Sequence, residues 1–139
     1  MALLISKEVS IVGGVTVPQL YIRLFLTMDY NGNNIYVNTE TYISKDAYLN
    51  GQNNSIRIPE IPDSKIFKYD RNNDGIDVLL VAHNKLITLL STDEMLKFPK
   101  TDPSTGEYIL DTNKNIIMDE VISNTKFVEK EEIEIVDLD

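Results

Sequence analysis

Between Gln19 and Ile43 apolar and polar residues alternate in two long runs that flank Asn31-Gly32-Asn33-Asn34. Leu20, Ile22, Leu24, Leu26 and Met28 occupy every second position, with Gln19, Arg23, Thr27 and Asp29 between them. The second run sets Ile35, Val37, Thr39, Thr41 and Ile43 against Tyr36, Asn38, Glu40 and Tyr42. Period two is the signature of a strand with one buried face. Asn-Gly tolerates the positive φ of a tight turn, so the segment predicts a long β-hairpin.

Upstream, Ser6 to Val12 alternates, stops at Gly13-Gly14 and resumes at Val15 to Val17, which predicts an opening strand with a glycine break. Downstream, Ser44 can cap one or two helical turns ending at Asn50-Gly51. Ile56, Ile58 and Ile61 lie around Pro59 and Pro62, so an edge strand or extended crossing is expected there, with a short strand over Ile66 to Tyr69. After the turn Asp70 to Gly75 the period changes. Ile76, Leu79, Leu80, His83, Leu86, Ile87 and Leu90 recur at helical spacing and predict the one substantial helix, with Asp74 as its cap. A last helical turn is expected to carry Met95 and Leu96, followed by an exposed loop from Lys100 to Gly106. Strand signals return in Tyr108 to Leu110 and Ile116 to Ser123, and Ile133, Ile135 and Leu138 alternate with acids. The acidic segment 129–139 is expected as an edge strand or a flexible extended arm. The pattern as a whole predicts an α+β fold in a single domain over residues 1–139: a mainly antiparallel β-sheet or sandwich with a long hairpin and one covering helix.

With 139 residues the chain is long enough for a core without covalent staples, and no cysteine offers a disulfide, thiolate ligand or nucleophile. Apolar runs such as Val78 to Ala82 fall far short of the ~20 residues of a membrane helix. Met1 to Ile5 meets Ser6, Lys7 and Glu8 too soon for a signal peptide, so residence in a cytoplasm is expected. Thirteen basic residues stand against 22 acidic ones, for a formal charge of −9. Lys and Arg are not clustered, which argues against tight nucleic-acid binding. Such acidity serves solubility, or lines a surface past which a polyanion slides.

Candidate chemistry is sparse. His83 is the single histidine and lies on the apolar helix face, where a core or rim role outweighs catalysis. Asp70, Asn72, Asp74 and Gly75 match the first half of a calcium loop, a weak calcium candidate. The match fails at the twelfth position, which is Val81 rather than a bidentate Glu. Tyr21, Arg23, Phe25, Tyr36 and Tyr42 share the polar face of the hairpin and are candidate interface residues, with Asn31, Gly32, Asn33 and Asn34 as a projecting tip. The bland alternative is a second buried face.

Ile5-Ser6-Lys7-Glu8-Val9 with Gly13-Gly14, Tyr21-Ile22-Arg23-Leu24, Tyr42-Ile43-Ser44-Lys45-Asp46-Ala47-Tyr48 and Ala82-His83-Asn84-Lys85-Leu86-Ile87 together resemble small virion proteins of tailed bacteriophages. The likeness extends over nearly the whole chain, and points to proteins that build neck and tail rings in phages of Bacteroidetes-type hosts, including the crAss-like group. Richness in Asn, Ile and Lys suits an AT-rich genome. The resemblance implies a structural role, as a subunit of a homo-oligomeric, twelvefold or sixfold ring that joins portal to tail around the DNA channel. It implies portal, ring or tail proteins as partners, DNA only as a passing neighbour, no membrane, no cofactor and no catalytic residue. The implied location is the virion, after synthesis in the host bacterial cytoplasm. A second reading is a β-sandwich carbohydrate-binding or adhesin module, with Tyr36 and Tyr42 as a stacking platform and the Asp70 loop holding calcium.

Overall fold

The computed structural model describes residues 1–11, 13–51 and 54–137. The chain folds as an α+β protein, mainly antiparallel sheet with one main helix. Its strands are β1 (Ala2–Ile5), β2 (Val9–Ser10), β3 (Thr16–Val17), β4 (Leu20–Met28), β5 (Asn34–Tyr42), β6 (Ser64–Lys68), β7 (Glu94–Pro99), β8 (Met118–Asn124) and β9 (Ile133–Val136). The helices are α1 (Lys45–Leu49), the single turn α2 (Arg71–Asp74) and α3 (Val78–Ser91). Five strands form one sheet in the order β6-β5-β4-β1-β9, and every neighbouring pair is antiparallel.

The hairpin β4–β5 is the centre of this sheet, with Tyr21 opposite Tyr42 and Met28 opposite Ile35. Leu20, Ile22, Leu24, Ile35, Val37 and Thr41 are buried on its inner face, as the alternation requires, while Met28 and Ile43 reach the surface at the ends. The connection is not a two-residue Asn-Gly turn. Five residues, Asp29 to Asn33, span it, and the Asp29 carboxylate organises them by accepting from the backbone N–H of Asn33 (2.8 Å) and the Asn34 side-chain amide (2.8 Å). Those bonds, the Asn34 amide foremost, hold the Asp29 carboxyl below the usual carboxylate range. Gly32 takes a φ of 68°, the left-handed conformation the sequence reserved for it.

Helix α3 lies against the inner face and buries Val81, Ala82, His83, Leu86, Ile87 and Leu90. It begins later than its apolar spacing implies. Asp77, not Asp74, caps it by accepting from the Leu80 N–H (3.2 Å), and Ile76, Leu79 and Leu80 remain exposed. The glycine break forms the small hairpin β2–β3, whose Val9 and Val17 close one end of the core, and Ile58 and Ile61 seal it from the extended crossing. The crossing touches the sheet through an isolated bridge between Ile56 and Thr41.

One element departs from expectation and another settles an alternative. Glu94 to Pro99 is a strand, not a helical turn, because it pairs with β8 along its length, and pairing overrides the helical preference of Glu-Met-Leu-Lys. The acidic C-terminal segment takes the first of its two expected forms, docking as the edge strand β9 beside β1 with Ile133 opposite Ile5; Leu138 lies outside the described residues. Among the described residues no helix is long and apolar enough to cross a membrane.

This packing separates α3 into a core stripe and an outer stripe. Leu86→Ala is expected to cost about 2–5 kcal/mol and Leu79→Ala less than about 1 kcal/mol in urea unfolding. Equal losses at the two positions would mean that α3 is rotated from the described orientation.

Candidate functional site

The outer face of the sheet is divided by α1. Ser44 caps this helix by accepting from the Ala47 N–H (3.1 Å), and its Tyr48 then covers the end of the sheet where Tyr21 and Tyr42 face each other. The ring centroids of Tyr48 lie 5.8 Å from Tyr21 and 5.2 Å from Tyr42, the latter edge-on. Tyr21 and Tyr42 are therefore only 1% and 0% exposed. Both were candidates for contact with a partner, and the structure corrects this: they form a small interior cluster with Ala2. Arg23 is half-buried, its guanidinium 4.7 Å from the Tyr48 ring and 5.7 Å from that of Phe25, a cation–π bridge between the covered and open halves of the face.

Beyond Arg23 the outer face is open. Phe25 (41% exposed) and Tyr36 (38%) project from β4 and β5, and register places Ile66 of β6 directly across from Tyr36. The tip Asn31 to Asn34 does not project alone. Tyr69 donates its N–H to the Asn33 carbonyl (2.8 Å), Asn34 belongs to the β5 ladder opposite Lys68, and the loop lines a cleft shared with α2.

The calcium candidate is used otherwise. Asp70 caps α2, accepting from Asn72 N–H (3.0 Å) and the Asn73 side chain (2.7 Å). Asp74 accepts from the Asp70 N–H (2.9 Å) and pairs with Lys85 (3.4 Å); the backbone bond first, then Lys85, hold its carboxyl below the ordinary range. Asn72 contributes backbone to that turn. No group of three His, Cys, Asp or Glu side chains placed to hold a metal ion occurs among the described residues. His83 is fully buried, with Nδ1 2.6 Å from the Leu79 carbonyl and Nε2 without a hydrogen-bond partner among the described residues, and burial lowers its pKa. An imidazole sealed in this way offers no reactive nitrogen to a ligand.

An exposed arm is the feature that the sequence reading recovered only in part. Strands β7 and β8 form a two-stranded arm from Glu94 to Asn124, separate from the main sheet. Isolated bridges Thr101–Tyr108 and Leu110–Ile116 fold its far end into a short three-stranded tip. Ten of its large apolar side chains are exposed. Register sorts them by face. Leu96 lies opposite Val121 and Phe98 opposite Asp119 on one face; Met95 lies opposite Ile122 and Pro99 opposite Met118 on the other, beside the Lys97–Glu120 pair (3.7 Å).

The root of this arm is fixed. The Leu90 carbonyl at the end of α3 accepts from the N–H groups of Phe127 (2.8 Å) and Val128 (3.1 Å), Asp93 accepts from the Lys126 N–H (2.9 Å), and Glu94 from the Asn124 side chain (2.6 Å). Lys7 adds a hydrogen bond to the Phe127 carbonyl. The arm thus leaves the core from a clamped base with apolar residues on both faces. A two-stranded ribbon is marginal alone in water, and contiguous exposed apolar surface marks interaction sites. Strand β8 was expected from Ile116 to Ser123, but its pairing with Glu94 to Pro99 was not, because apolar residues on both faces weaken the period-two signal.

The aromatic cluster makes two outcomes specific. Tyr21→Ala is expected to lose about 3–5 kcal/mol in denaturant unfolding, whereas Phe25→Ala stays within about 1 kcal/mol. Burial first, and the bond to Glu40 (2.5 Å) second, push the Tyr42 hydroxyl up to about 12, whereas an unfolded tyrosine titrates near 10. Between those values the unfolded chain has lost a proton that the folded chain retains, so stability falls as pH rises through that window. Tyr42→Phe is expected to flatten this alkaline decline in the urea midpoint; an unchanged slope would place the effect elsewhere. No family model matches the chain, and neither a curated protein nor a solved structure matches it.

Proposed function

We propose that this chain is a structural subunit of a tailed-phage virion, forming a ring in the neck or tail around the DNA channel and acting through protein–protein assembly. The observation that carries the assembly reading is the β7–β8 arm, which exposes ten large apolar side chains on two faces of a ribbon rooted in the core. Covering half-exposed side chains of this size yields on the order of 1 kcal/mol each. Ten of them match the ~4–15 kcal/mol that association costs in lost freedom. A ribbon left in water forfeits this gain and invites unspecific pairing.

Two further observations fit. The outer sheet face keeps Phe25, Tyr36 and Ile66 open beside unpaired strand edges. The charge of −9 suits a channel wall from which a polyanion is released rather than held. Phage origin rests on the sequence resemblance, and ring geometry follows from it. The partners in this reading are further copies of the chain and neighbouring portal, ring or tail proteins.

Light scattering coupled to size exclusion over a concentration series tests the reading. The full chain is expected to show a closed oligomer of discrete mass, seen as a ring in negative-stain images. Replacing residues 100–117 by a two-residue Asn-Gly turn shortens the arm and is expected to lower that mass toward the monomer while the far-ultraviolet spectrum of the core is kept. A full chain that stays monomeric throughout and binds a glycan array would replace this reading with the carbohydrate module.

A further inference from the structure

A groove of about 510 Å³ runs between the open edge of β6 and the C-terminal half of α3, with Phe67 and Leu89 on its floor. Lys65 and Lys68 line it. Its chemistry is that of an apolar slot with a cationic margin. The arm is the complementary object: six acidic and three basic residues lie between Glu94 and Asn124. Its two faces differ in one respect. On the face of Met95 and Ile122 the acid Glu120 has Lys97 across the ladder, whereas on the face of Leu96 and Val121 the acid Asp119 stands opposite Phe98 and has no cation across from it. The second face therefore combines apolar residues with one carboxylate that its own ladder does not neutralise.

Resting on the assembly reading above, we infer that the Leu96–Phe98–Val121 face of the arm of one copy seats in the β6–α3 groove of a second copy, with Asp119 meeting Lys65 and Lys68. Arm and groove are different surfaces of one chain, so the contact is heterologous, the kind that builds a ring where its rotation is a whole fraction of a turn. Glu94, the first residue of the arm, also lines the groove. An arriving arm consequently lies beside the root of the recipient's own arm, and each copy donates one arm and receives one. Seating in the slot covers one face of the arm. The open edge of β6 further offers backbone groups to the arriving ribbon.

The chain has no cysteine, so engineered thiols report without background. Full-length Phe98→Cys and Leu89→Cys proteins, each folded by circular dichroism, are mixed under mild oxidant. The expected product is a disulfide between the two variants, in excess over disulfides within either alone. In parallel, Asp119→Lys and Lys65→Glu are each expected to weaken assembly about tenfold or more, and the double charge swap to recover most of it, since close interfacial charge pairs couple by more than the 1.4 kcal/mol that a factor of ten requires. An assembled mass with Phe98→Cys bonded only to itself, or with no recovery in the double swap, overturns arm-in-groove docking and leaves the assembly reading standing. A monomer that forms no cross-link at any concentration overturns both. A mixed disulfide in a particle of dimer mass supports the docking and replaces the ring by a reciprocal exchange.

Discussion

Everything in this molecule depends on one layer contact, the burial of the Val81 to Leu90 stripe of α3 on the inner face of β4, β5 and β1. A five-stranded antiparallel sheet has two faces to satisfy, and this chain has a single substantial helix with which to do it. One face is covered over most of its area. The other is covered only at the end where α1 lays Tyr48 over Tyr21 and Tyr42, and the rest of it stays open. The same helix also fixes the arm, because the last carbonyl of its buried stripe, that of Leu90, is satisfied by the chain returning from β8. Core packing and the placement of the largest apolar surface are thus one problem with one solution.

How far this could be read in advance differs element by element, for physical reasons. The hairpin β4–β5 was legible because a sheet buried on one face imposes period two, which Leu20, Ile22, Leu24, Ile35 and Val37 keep, although Tyr21 among them is buried from the other side. The body of α3 was legible from its 3.6-residue period, but its start was not, since Ile76, Leu79 and Leu80 extend the apolar count without being buried. What decides that boundary is the Asp77 side chain bonding Leu80, a local competition that periodicity ignores. The same limit applies at the turn, where Asp29 rather than Asn31-Gly32 sets the geometry.

The candidate site was less legible than the fold. Tyr21, Phe25, Tyr36 and Tyr42 were rightly placed on one face, yet whether such a face is interior depends on what a distant element lays upon it. Tyr48, six residues beyond Tyr42, decides it for two of the four. Of the arm, the strand over Ile116 to Ser123 was legible but β7 and its pairing were not, because amphipathic alternation records the boundary between core and water, and a ribbon apolar on both sides has no such boundary within its own chain. Its sequence carries the imprint of surfaces outside the monomer, which a reading built on one chain's core cannot register.

The sheet order adds a matter of timing. β1 pairs with β9, joining Ala2 to Val136, so the sheet reaches its final width only when nearly the whole chain is present. Closing so long a loop is a late and entropically costly event, and topologies built on such distant pairs form slowly. The arm, at Glu94 to Asn124, leaves the ribosome before β9 does. During synthesis its apolar ribbon is therefore displayed beside an unfinished sheet whose β1 edge is still vacant. The arm's root is tied at Phe127 and Val128 to the segment that leads directly into β9, so the clamp on the ribbon and the strand that shuts the vacant edge are neighbours in sequence.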